Sequence, residues 1–150
     1  MKVILYQPQI PQNTGNVVRT CSVTGTELVL VKPLGFSIAN RHLKRAGLDY
    51  WEGINIEFID NLEEYLSQTE GTPYFFSSHA QKSYTSISFK ENDLLIFGSE
   101  TFGLHENFRK NWPENFYRIP MIANSRCLNL ATSVGVVVYE GLRQLNFAAT

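Results

Sequence analysis

The feature that most constrains this chain is an alternation of short, almost wholly apolar runs with segments that carry helix punctuation. MKVILY (1–6), ELVLV (27–31), INIEFI (54–59), PYFFSS (73–78), DLLIFG (93–98) and FYRIP (116–120) read as six strands. Near-continuous apolar strands belong in a sheet buried on both faces, the setting of parallel sheets joined by helical crossovers. After the first strand, Asn13-Thr14 is expected to cap a helix with Val17, Val18, Cys21 and Thr24 on its apolar side, stopped by Gly25. Residues 37–46 (SIANRHLKRA) predict a short basic helix ending at Gly47. Residues 61–68 and 105–112 predict two more short helices, and 79–92 a polar, irregular stretch. The last helix is the clearest, with Leu130, Val134, Val137, Val138, Gly141, Leu142 and Leu145 at i, i+4, i+7 and i+8 spacing. The expectation is an α/β fold, one domain over 1–150, with a mostly parallel sheet and helices on both faces.

Composition excludes several classes. At 150 residues, 43% hydrophobic and 18% charged, the chain is globular rather than disordered. The opening apolar run is too short for a signal peptide, and no run of about 18 apolar residues exists to span a bilayer, so a cytoplasmic protein without membrane association is expected. Cys21 and Cys127 form neither a CxxC pair nor a metal-ligand cluster, so no metal is expected. The net charge of −1 hides an asymmetry: the first fifty residues carry six Lys and Arg against two acids, leaving the remainder at −5. A polyanion can meet such a basic face.

In open parallel sheets, ligands bind outside the carboxyl ends of the strands. Three unusual segments fall there. Asn13-Thr14-Gly15-Asn16-Val17-Val18-Arg19 opens a helix whose N–H groups can hold an anion, although a cap, a turn glycine and a surface arginine explain the same letters. A flavodoxin-type phosphate loop needs hydroxyls where Gln12 and Asn16-Val17 stand, and neither GxGxxG nor a Walker A sequence occurs. Residues 95–104 (LIFGSETFGL) set one carboxylate between two glycines. Residues 119–130 (IPMIANSRCLNL) place a polar Asn-Ser-Arg stretch before the very apolar last helix. Asn129 or Ser125 suits the cap of that helix.

These segments, NTGNVVR, LIFGSETFGL and IPMIANSRCLNLATSV, resemble the three signature motifs of the SPOUT class of RNA methyltransferases, in order and at suitable spacing. LYQPQIPQNTGN, KPLGF with RHLKRAGLDYW, and VYEGLRQLNF extend the likeness to nearly the whole chain. They resemble the small bacterial members that 2′-O-methylate the wobble nucleotide of tRNA. The resemblance implies a C-terminal trefoil knot, a homodimer, S-adenosylmethionine as cofactor and tRNA as substrate. It implies cofactor contacts at Ser77, Gly98, Glu100, Ile119, Cys127 and Leu128, and catalytic roles for Arg19, Asn13, Glu100, Ser125 and Asn129. An arginine is effectively always protonated, so Arg19 suits phosphate binding beside the target ribose better than proton abstraction. Arg41, Lys44, Arg45 and Arg126 are the expected RNA contacts, and Tyr139 the interface aromatic.

The chain departs from the family pattern at Cys127, where Ser is usual, and at Ser99 and His105, where Pro is frequent. A thiol is the weaker hydrogen-bond partner, which leaves a backbone role for Cys127. Competing readings are a SPOUT-type enzyme acting at another RNA position, a cofactor- or RNA-binding knot protein without activity, and a flavin-binding module.

Overall fold

The computed structural model describes residues 1–39 and 54–148. Seven strands, β1 (Lys2–Tyr6), β2 (Glu27–Val31), β3 (Ile56–Ile59), β4 (Pro73–Phe76), β5 (Lys82–Ser83), β6 (Leu94–Phe97) and β7 (Phe116–Arg118), form one sheet in the order β3-β2-β1-β6-β4-β7-β5. Every neighbouring pair is parallel. Among the described residues four α-helices accompany them: α1 (Pro11–Thr24), α2 (Leu62–Gln68), α3 (Glu106–Asn111) and α4 (Leu130–Gln144).

The period of two along each strand divides the interior in half. Val3, Leu5, Leu28, Leu30, Leu95 and Phe97 face one side, where Val17, Val18 and Cys21 of α1 and Val134, Val137, Val138 and Leu142 of α4 cover them. Ile4, Val29, Val31, Phe75, Leu94 and Ile96 face the other, under Leu62 of α2 and Phe108 of α3. Phe75 stacks on Phe116 with centroids 4.9 Å apart, extending that second core toward β7. The Gln144 side chain donates to the Ile87 carbonyl and accepts from the Phe89 N–H, which anchors the end of α4 to the loop before β6.

Three expectations need correction. The helix after β1 begins at Pro11, with Ile10 as its N-cap and no side-chain cap of its own, so Asn13 and Thr14 lie inside the first turn. Proline is pre-set for the first helical position, where no intrahelical N–H bond is lost. Residues 79–92 are not wholly irregular: they hold the two-residue β5, paired with β7, and a single 3₁₀ turn over Tyr84–Ser86. Two residues are too few to show a period. Among the described residues the sheet therefore has seven strands, not six. The expected basic helix runs into residues 40–53, which lie outside the described residues together with Arg41, Lys44 and Arg45.

Candidate active site

β1, β4, β6 and β7 all point their carboxyl ends at one edge of the sheet, and the loops leaving them enclose a cleft of about 870 Å³. Of the expected cofactor residues, Ser77, Gly98, Glu100, Ile119, Cys127 and Leu128 all line it, as do Asn13 and Asn129.

Local chemistry explains how those loops are held. After β6 the chain closes on itself: Ser99 and Gly103 exchange both backbone hydrogen bonds at 2.9 Å. Gly103 takes a φ of +68°, open to glycine without strain. A Cβ on Gly98 would lie 2.4 Å from the Gly103 carbonyl carbon, so the return strand can pass only over a glycine. This small loop projects Glu100 toward the start of α1.

There the carboxylate does the capping that α1 lacks. Oε2 of Glu100 accepts the Gln9 N–H at 2.8 Å, and Oε1 accepts the Ile10 N–H at 3.2 Å and Asn13 Nδ2 at 3.1 Å. An anion at a helix N-terminus meets the positive end of the helix dipole. The Asn13 side-chain oxygen in turn accepts from Asn129 Nδ2 at 2.8 Å. Asn129 is the N-cap of α4, its oxygen accepting from the Ala131 and Thr132 N–H groups. One polar chain thus ties the loops after β1, β6 and β7 together, through Asn13, Glu100 and Asn129.

Other expected residues sit elsewhere. Arg19 lies on the exposed side of α1 and does not line the cleft. It is six residues past Asn13, about 120° away around the helix axis. Ser125 donates its hydroxyl to the Ile122 carbonyl at 2.8 Å, closing a turn in which Asn124 has a φ of +59°, and neither Ser125 nor Arg126 lines the cleft. At Ser77 the N–H goes to the Tyr117 carbonyl, the carbonyl receives the Ala80 N–H, and the hydroxyl oxygen accepts the His79 N–H at 3.3 Å, so what it offers a ligand is the hydroxyl's own O–H. The sequence reading missed Glu106 and Arg109, which line the far wall from α3, and the backbone of Gln9 and Ile10. Backbone donors carry no residue signature, and α3 is too short for its exposed face to be distinguished in sequence.

The arrangement is that of a parallel α/β protein whose ligand cleft is built by loops at the strands' carboxyl ends, tied by a carboxylate and two amides. The chain belongs to the SpoU rRNA Methylase family, whose model matches residues 1–139. It is 46% identical over 148 residues to the tRNA (cytidine(34)-2′-O)-methyltransferase of Methylovorus glucosotrophus strain SIP3-4, covering 97% of this chain and 96% of that one. A solved structure concerned with 2-OH methylation of C/U34 on tRNA superposes with a TM-score of 0.90 at 41% identity, covering 97% of this chain and 95% of that one. The SpoU methyltransferase AviRb of Streptomyces viridochromogenes, solved with AdoMet, shares the fold with a TM-score of 0.86 at 20% identity, covering 97% of this chain and 58% of that one.

Proposed function

We propose that this protein transfers a methyl group from S-adenosylmethionine to the ribose 2′-hydroxyl of the wobble nucleotide, position 34, in the tRNA anticodon loop. The observation that carries the reading is the Glu100–Asn13–Asn129 chain, which joins the three motif loops around one cleft. The relatives of more than 40% identity over nearly the full length support the substrate and the position.

The cleft suits the cofactor on its own terms. Its volume is in the range of about 300–1,000 Å³ that encloses small organic ligands. Its walls combine apolar Ile119 and Leu128 with the Gly98–Glu100 backbone and the Ser77 hydroxyl, a mixture that holds a nucleoside by shape and a few fixed polar groups. When bound, S-adenosylmethionine supplies a methyl already activated on a sulfonium. The chain's own task is to orient the acceptor and steer its proton away. Asn13 and Asn129 fix the cleft's shape, while Ser125 and Arg126 present the exposed turn before α4 to RNA. Arg19 binds the phosphate next to the acceptor ribose.

Because Arg19 faces away from the cleft of its own chain, we place it in the cleft of a second copy. A homodimer accords with the exposed Val23 on α1 and Tyr139 on α4, two helices packed side by side on one face of the sheet. The trefoil knot implied by the family resemblance accords with the return of the chain from β7 through 119–129 to lay α4 beside α1. Among the described residues no helix is long and apolar enough to cross a membrane, and we place the protein with its tRNA in the cytoplasm.

The test is transfer of labelled methyl to bulk tRNA from cells lacking this activity, with nuclease mapping of the product. A 2′-O-methyl at nucleotide 34 is expected. Label elsewhere would discard the position, and no label despite cofactor binding would discard the transferase reading.

A further inference from the structure

Glu100 spends its carboxylate on holding loops, yet the cleft contains a second acid and an arginine that no such duty consumes. Glu106 and Arg109 lie one turn apart on α3, and both line the cleft. No ion pair among the described residues uses either of them, although their i, i+3 spacing permits one. The Arg109 guanidinium instead rests 4.7 Å from the centroid of the Phe116 ring. That ring is fixed by stacking on buried Phe75, so the cation has a rigid platform and a defined position.

We propose that Arg109 and Glu106 form a subsite for the amino-acid tail of the cofactor, the guanidinium taking its α-carboxylate and the Glu106 carboxylate its α-ammonium. The inference rests on the reading that the cleft binds S-adenosylmethionine. An RNA phosphate is the other anion available, but it brings negative charge alone, which Glu106 one turn away repels. The tail carries both signs within a few ångströms, matching in sign the acid and the base that stand one turn apart on α3. Arginine meets a carboxylate through paired N–H donors, so lysine at this position is an imperfect replacement.

Calorimetry separates the subsite from the rest of the cleft by comparing two probes without RNA: S-adenosylhomocysteine, which keeps the tail, and 5′-methylthioadenosine, which ends beyond the sulfur. R109Q is expected to weaken S-adenosylhomocysteine about tenfold, the scale of one charge-assisted hydrogen bond, and to leave 5′-methylthioadenosine within about twofold. E106Q should act in the same direction by a smaller factor, and R109K should recover part of the loss. Unchanged melting temperatures would exclude misfolding as the cause. Equal weakening of both probes overturns the proposal, as does undiminished S-adenosylhomocysteine affinity with weakened tRNA binding, the outcome expected of a phosphate contact. Binding of neither probe by the wild type would instead remove the cofactor reading, and this subsite with it.

Discussion

Cys21 and Cys127 show how far a residue's chemistry depends on its place. Cys21 is fully buried under the sheet, and burial pushes its thiol up to about 12, so it holds its proton at any physiological pH and reacts with nothing. Cys127 is exposed and lines the cleft. A thiol reagent at pH 8 is therefore expected to label the native protein once, at Cys127, and to reach Cys21 only after denaturation. Saturating S-adenosylhomocysteine should slow that labelling at least several-fold, because the ligand and the reagent compete for one space. Two fast thiols would contradict the burial, and labelling indifferent to the ligand would take Cys127 out of the cofactor site. At this scale the sequence was most informative where a side chain acts through its own atoms. Asn13, Glu100 and Asn129 are legible as polar residues in odd places, and the structure joins them. Arg109 was not legible, since nothing in ENFRKN distinguishes an arginine facing a cleft from one facing water.

Elements with a strong period were read almost to their ends. β2 falls on the expected 27–31, and α4 ends one residue short of the expected boundary. What periodicity cannot supply is how one loop braces another. Gln7 adopts a φ of +47°, and its N–H bonds to the Val31 carbonyl, turning the chain sharply after β1. Gly35 then packs against the same loop from the side opposite Glu100, its N–H donating to the Pro8 carbonyl at 2.9 Å. A Cβ there would lie 2.8 Å from the Gln9 Cα, a backbone atom that cannot simply rotate away. Gly35→Ala should push the 7–10 segment off its seat and pull the Gln9 and Ile10 N–H groups from Glu100. The expected cost is about 1–3 kcal/mol in urea denaturation. Cofactor affinity should fall with it, because Asn13 and Glu100 move together. Wild-type stability in this variant would mean that the loops after β1 and β2 are not mutually braced.

Over the whole molecule, the family resemblance placed Arg19 among the reacting groups, while helix geometry turns it away from the cleft that its own chain builds. The two statements agree if the working unit is a symmetric pair in which each α1 delivers its arginine to the other subunit's cleft, a closed two-fold arrangement in which one contact is made twice. No sequence periodicity expresses such an exchange, because it depends on how two finished surfaces meet. Mixing subunits tests it directly. Arg19→Ala leaves the cleft whole but removes the arginine, and Leu128→Trp fills the cleft of a chain whose arginine is intact. Each homodimer should be nearly inactive in methyl transfer. Co-refolding the two at equal amounts makes half the dimers mixed, and in each mixed dimer the cleft of the Arg19→Ala chain faces an intact partner arginine. Activity should return to about one quarter of the wild-type value per dimer, since one of the two clefts works in half of the population. If Arg19 served the cleft of its own chain, every subunit in the mixture would carry a defect in its only site, and mixing would restore nothing.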